Sequence, residues 1–285
     1  MSDSDSRPDS TDGEGADTTD SADTTESADT AGSSGGTDAP GPVDPPVVVC
    51  FDMDGVLVDS EDYWHPAERD HILPAVLDGK HPDRNGEEVP SRRVDLDEIT
   101  GMNYREIYAY LVDQYEPTVS EAEFVEIYDD TATDIYGEQV RLLPGADEFV
   151  ADLRDEGIPV ALVSSSPPGW IDIVLERFDL AFDLVASADE FDGPGKPDPD
   201  LYEDAIAELG SVPERAVVIE DSRNGVLAGH RAGARVVAFR DGHNADTDLS
   251  EADAVAESAE ELFAAVRQSM ETVRASVSGS SGRSG

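Results

Sequence analysis

Apolar positions along the chain fall into two patterns, short continuous runs and helical spacings. Val47-Val48-Val49-Cys50-Phe51, Pro159-Val160-Ala161-Leu162-Val163 and Ala216-Val217-Val218-Ile219 are runs of β-prone residues. Runs of this kind predict strands buried on both faces, as in a parallel sheet. Helices are expected between and after them. Ser164-Ser165-Ser166 followed by Pro167-Pro168 predicts a serine-capped helix start. Asp198 as cap with Pro199 in the first turn predicts a helix over Leu201 to Leu209, and a small-residue helix is expected from near Asn224 to Gly233. Between the first two strands, apolar residues spaced by three and four predict helices over Asp62 to Leu77, Tyr104 to Tyr115 and Ser120 to Tyr136. Their tyrosines read as core. Asp78 to Arg93 is polar and rich in Gly and Pro, so it reads as a loop.

Candidate chemistry lies at the carboxyl ends of the strands, where open α/β sheets bind ligands. The first run ends in Asp52-Met53-Asp54-Gly55, the second in Ser164-Ser165-Ser166, the third in Glu220-Asp221-Ser222. Asp-x-Asp-Gly alone is equally a turn. Three strand ends that all deliver acids or hydroxyls are harder to explain structurally. A serine-capped helix start also supplies free N–H groups suited to phosphate. Only Lys80 and Lys196 are lysines, every other basic residue being arginine. Lys196 lies in Gly193-Pro194-Gly195-Lys196-Pro197-Asp198-Pro199, where a compact ammonium suits a point contact to a phosphate oxygen or a carboxylate. An exposed loop lysine is the plain alternative.

As a set, Asp52-x-Asp54-Gly-Val-Leu-Val-Asp59-Ser60-Glu61, the Ser164 strand end, Gly195-Lys196-Pro197-Asp198-Pro199 and Glu220-Asp221-Ser222-x-x-Gly225-Val226 resemble the four motifs of the haloacid dehalogenase superfamily, in order and approximate spacing, from about Pro46 to Phe263. The resemblance implies an α/β fold, a Rossmann-like parallel sheet core with an inserted α-helical cap. It also implies phosphoryl transfer with an aspartate nucleophile and Mg²⁺. Residues 46–60 and 142–275 would form the core and 61–141 the cap.

The chemistry of the residues agrees. A carboxylate nucleophile splits phosphomonoester hydrolysis into two steps, and Asp52 is the candidate. Asp54 is placed to act as general acid and then base. Ser164, the N–H of Ser165 and Lys196 would hold the transferred group. Asp52 and Asp221 can supply oxygen ligands to Mg²⁺; the resemblance adds the main-chain carbonyl of Asp54 and a contribution from Glu220. Asp54 argues against dehalogenation, because true dehalogenases lack this second aspartate. β-Phosphoglucomutase-like relatives carry a cap histidine where Trp64 stands here, with His65 one place later, which argues against a mutase. One helical residue rotates a side chain by about 100°. Arg69 and Arg105 are candidate substrate contacts, equally readable as solvated charges. The expectation is a phosphatase for a small phosphorylated metabolite of the phosphoglycolate or sugar phosphate type. A mutase-like transferase and a non-catalytic binding protein are the alternatives.

Composition sets the frame. Residues 1–45 are Asp, Ser, Thr and Gly with little apolar content, which predicts a disordered acidic tail; 276–285 reads as a second tail. The single cysteine, Cys50, excludes an internal disulfide. No apolar run long enough to span a membrane and no signal peptide is seen, so a cytoplasmic location is expected. The net charge of −46 opposes nucleic-acid binding. Such self-repulsion is tolerated when salt screens it, which suggests a salt-loving host.

Overall fold

The structure, a computed structural model, describes residues 44–77, 81–82, 88–89, 94, 96–99 and 102–278. Its centre is the first apolar run, β1 (Val48–Phe51), every residue of which is buried. The chain then leaves the sheet through α1 (Glu61–Ala67), a π turn (Glu68–Ile72) and α2 (Leu73–Leu77). The expected single helix is therefore interrupted. Pro66 and Pro74, on either side of the π turn, lack the N–H that a continuous α-helix would use, and Leu73 N–H reaches back five residues to the carbonyl of Glu68.

Within the segment expected as a loop, β2 (His81–Pro82) and β3 (Glu88–Val89) pair as an antiparallel ribbon. The rest of 78–93 lies outside the described residues. Then come α3 (Leu96–Ile99), α4 (Tyr104–Gln114) and α5 (Glu121–Asp134). Asn103 and Ser120 start the last two with complete capping boxes, each satisfying two orphan donors of the first turn. A second π turn, Ile135–Gln139, returns the chain to the sheet. There Arg141 N–H donates to Asp59 Oδ1 at 2.6 Å and Leu143 N–H to the carbonyl of Leu57 at 2.7 Å, so entry and exit run side by side.

The remainder alternates helix and strand: α6 (Ala146–Asp155), β4 (Val160–Ser164), α7 (Pro168–Phe178), β5 (Leu184–Ser187), α8 (Asp200–Glu208), β6 (Ala216–Glu220), α9 (Arg223–Ala232), β7 (Arg235–Phe239), β8 (Ala254–Ala256) and α10 (Ala259–Ser278). All six strands of the main sheet are parallel, in the order β5-β4-β1-β6-β7-β8. Alternate residues of β1 serve opposite layers. Val49 and Phe51 pack with α6, α7, α10 and the inserted helices, while Val48 and Cys50 pack with α8 and α9. Burial pushes the Cys50 thiol up to about 12, which suits a core residue.

Three further sequence expectations need correction. Neither α7 nor α8 has a side-chain cap: Pro167 and Pro199 occupy the cap positions, while Ser164 Oγ accepts from Ser166 N–H and Ser166 Oγ donates to Asp54. The last helix also runs to Ser278, into the segment read as a tail; 279–285, like 1–43 of the expected acidic tail, lie outside the described residues.

Candidate active site

From β1 the chain reaches β4 and β5 on one side and later crosses back to β6 on the other. That reversal opens a crevice at the carboxyl ends of β1, β4 and β6, the place where doubly wound sheets bind ligands. Asp52 and Asp54 follow β1, Ser164 closes β4, and Glu220 closes β6 with Asp221 next.

Lys196 enters this crevice from the loop after β5. Its Nζ donates to Asp52 Oδ1 at 2.6 Å and to the carbonyl of Val163 at 3.0 Å, and lies 2.7 Å from Glu220 Oε1. Its side chain is only 6% exposed. Burial works against the ammonium, yet the carboxylates of Asp52 and Glu220 outweigh it and hold its pKa above that of an ordinary lysine. Glu220, fully buried, also accepts from Tyr202 OH at 2.8 Å and from Ser222 Oγ at 3.2 Å. Gly225 makes this possible, since a Cβ there would fall 1.8 Å from the Glu220 carboxyl carbon.

Oxygens of Asp52, Glu220 and Asp221 lie within 4.8 Å of one another. Burial above all, then the neighbouring carboxylates, pushes the carboxyls of Asp52 and Asp221 well above the usual range, with Lys196 opposing. One ammonium does not balance three carboxylates. An oxygen-only donor set with surplus negative charge fits a hard divalent cation such as Mg²⁺. Gly55 keeps the space clear, with φ at +73° and its absent Cβ only 2.1 Å from Asp221 Oδ2.

Asp54 is held differently, by hydroxyls. Ser60 Oγ and Tyr136 OH donate to its Oδ1 at 2.6 and 2.7 Å, and Ser166 Oγ donates to Oδ2 at 2.8 Å. Trp64 Nε1 in turn donates to Tyr136 OH at 3.0 Å. The first π turn, α1 and the second π turn, which carries Tyr136, thus share the wall of a cavity of 420 Å³.

Among the residues singled out from sequence, Asp52, Asp54, Ser165, Lys196 and Asp221 line this cavity. Ser164 and Glu220 lie behind it, both fully buried, and Ser164 Oγ accepts from Ser166 N–H at 3.0 Å. His65 lines the cavity, 3.4 Å from Glu61. Arg69 and Arg105 do not; they pair with Asp70 and Asp189 at 2.7 and 3.1 Å. Sequence reasoning missed Tyr136, Trp64, Ser166 and Glu68. Ser166 carried a signal as the third hydroxyl of its run, and Trp64 as the residue that stands where mutase-like relatives have a histidine. Asn244 was missed too; its Nδ2 donates to the carbonyls of Asp221 and Phe239 at 2.9 and 2.8 Å, fixing the turn after β6.

A parallel doubly wound sheet with a carboxylate and lysine cluster at its switch point defines a Rossmann-like α/β protein with a charged pocket at the place where such folds carry their chemistry. Residues 47–233 match the family model of haloacid dehalogenase-like hydrolases, and the chain belongs to that family. Among its relatives, hexitol phosphatase B of Escherichia coli is 35% identical over 190 residues, covering 66% of this chain and 80% of its own length. A phosphorylated carbohydrates phosphatase of Thermotoga maritima is 33% identical over 211 residues, covering 73% of this chain and 92% of that protein. Among solved structures, a putative β-phosphoglucomutase from Thermotoga maritima superposes with a TM-score of 0.55 at 27% identity, over 80% of this chain and 98% of that one.

Proposed function

We propose that this hydrolase is a Mg²⁺-dependent phosphatase that removes phosphate from a small phosphorylated sugar or polyol through a phosphoaspartyl intermediate at Asp52. The observation that carries this reading is the Asp52 carboxylate at the cavity floor, paired with Lys196 and flanked by Asp54. The relatives named as sugar and hexitol phosphatases support the substrate class.

In the first step the Asp52 carboxylate attacks phosphorus, and the bond to the alkoxide oxygen breaks with its electron pair on that oxygen. Asp54 supplies the proton that the alkoxide needs. In the second step Asp54 takes a proton from water as the water attacks phosphorus, and Asp52 is released as a carboxylate. Lys196 offsets charge on the transferred group. Ser165 and Ser166, at the start of α7, line the same space. Mg²⁺, held by Asp52 and Asp221 with the Asp54 main-chain carbonyl and a contribution from Glu220, would supply positive charge against the phosphate oxygens.

The test is phosphate release from a panel of phosphomonoesters, in high KCl with and without Mg²⁺. Metal-dependent release is expected, falling at least about 10⁴-fold in Asp52→Asn; retained turnover in that variant refutes the reading. A mutase is the second reading, favoured by the β-phosphoglucomutase-like neighbour and by His65 at the cavity wall. Conversion of β-glucose 1-phosphate to glucose 6-phosphate without net phosphate release would establish it instead.

The described helices include none long and apolar enough to cross a membrane, consistent with a cytoplasmic enzyme. A net charge of −46 supports a host with concentrated salt inside the cell. Thermal unfolding should then occur at clearly higher temperature in molar KCl than in dilute buffer, and equal values would argue against that origin.

A further inference from the structure

The end of the cavity away from Asp52 is built from the inserted helices, and Glu68 is its unusual member. It opens the first π turn, is 7% exposed, and lines the cavity. π Turns within α-helices are rare and concentrate at functional sites. Tyr128 OH donates to Glu68 Oε1 at 3.1 Å; Oε2 has no hydrogen-bond donor among the described residues. Glu68 is not among the described residues with a buried unpaired side-chain atom, so this oxygen opens on the cavity, where a ligand hydroxyl or water can donate to it.

The walls around it are rings. Trp64 stacks on Trp170 and on Tyr128 with centroids 5.2 and 5.6 Å apart, and Tyr104 lies 5.6 Å from Trp170. These packed rings offer carbon to C–H groups, and their N–H and O–H donors are already used on Tyr136, Asp129, Asp189 and Glu68, so they offer an anion no partner. Among the described residues, each basic group on the cavity wall already has an acid beside it. Lys196 holds Asp52, Arg223 lies 3.9 Å from Asp248, His65 lies beside Glu61, and His243 beside Asp62. Glu61 itself faces the same space.

We propose that Glu68, presented by the π turn and held by Tyr128, reads hydroxyl groups of an uncharged polyol leaving group and rejects one that carries a second anion. Resting on the phosphatase reading, this narrows the substrate to neutral sugar or polyol monophosphates and sets aside phosphoglycolate, whose leaving group bears a carboxylate.

Binding to the Asp52→Asn protein tests it without turnover. Calorimetry at pH 8.5, where Glu68 is ionised, with a hexitol 6-phosphate and with 2-phosphoglycolate should give a preference for the former of about tenfold or more, and Glu68→Gln on that background should bring the two affinities to within about threefold. Gln keeps the shape and an acceptor for Tyr128, and thermal unfolding checks that the fold survives. Equal affinities, no binding of either, tighter binding of phosphoglycolate, or a ratio unmoved by Glu68→Gln would overturn the assignment. Failure of the phosphatase reading looks different: the binding preference persists while the unmodified protein releases no phosphate.

Discussion

The two ends of the cavity are assembled on opposite principles. At the floor, charged groups are packed against one another: three carboxylates around one lysine, each on a strand end or the loop beside it. At the roof, aromatic rings from α1, α4, α5 and α7 surround one carboxylate set in a π turn. Tyr136 joins the ends, since its hydroxyl touches both Asp54 of the floor and Trp64 of the roof. The contrast separates two tasks. A floor whose groups are fixed by the sheet would offer the same chemistry to any phosphate once a cation balances its surplus negative charge, whereas selection among phosphates would fall to a roof that can be rebuilt by changing helix faces.

The most forceful way to break the comparison is to remove the cation from the floor. In Lys196→Met, Asp52 and Glu220 keep their burial and lose their shared partner. Breaking a buried pair in this way costs about 3–5 kcal/mol. Urea unfolding should register a loss of that order together with loss of turnover, and a variant as stable as the parent would mean that the floor is not held by charge.

Of the two ends, the floor was the more legible in the sequence. Continuous apolar runs give a strand and its end almost unaided, so Asp52, Asp54, Glu220 and Asp221 could be placed by counting from Val47 or Ala216. Lys196 stood out because lysine is so scarce in this chain. The roof resisted the same treatment. Helical periodicity assumes 3.6 residues per turn, and both π turns break that count, which hid the inward turn of Glu68 and Tyr136. Tyrosines at helical spacing read as core, and Tyr136 is indeed 1% exposed; what spacing cannot say is that its hydroxyl ends on Asp54. Among three consecutive serines, the backbone turn decides which hydroxyl meets Asp54, and only the fold reveals that it is Ser166.

At the roof, a pH series sharpens the comparison. Burial, with the Tyr128 hydrogen bond opposing, pushes the Glu68 carboxyl up to about 7 from an unfolded value near 4.5. The folded state therefore binds the proton more tightly than the unfolded one. Its contribution to stability is complete below about pH 4.5 and is lost as pH rises through about 7, amounting to as much as about 3 kcal/mol. Glu61, pushed up to about 8 chiefly by burial and then by Asp54, has the same sign, so the diagnostic quantity is the difference between the parent and Glu68→Gln. Parent stability should fall relative to the variant between pH 5 and pH 7. Parallel curves would place Glu68 in a wetter setting than the structure gives it.

The smallest change tests the link between floor and roof. Tyr136→Phe deletes one oxygen, which leaves Trp64 Nε1 without its acceptor and Asp54 Oδ1 with Ser60 alone. A buried donor left unpaired costs about 1–3 kcal/mol, so a modest loss of stability is expected. Because the ring and the roof stay in place while the proton-transferring carboxylate loses one of its three supports, kcat should fall by roughly tenfold with KM little changed, in the range typical of general acid–base assistance. If KM rises and kcat holds, Tyr136 belongs to the roof and its contact with Asp54 is incidental to the chemistry.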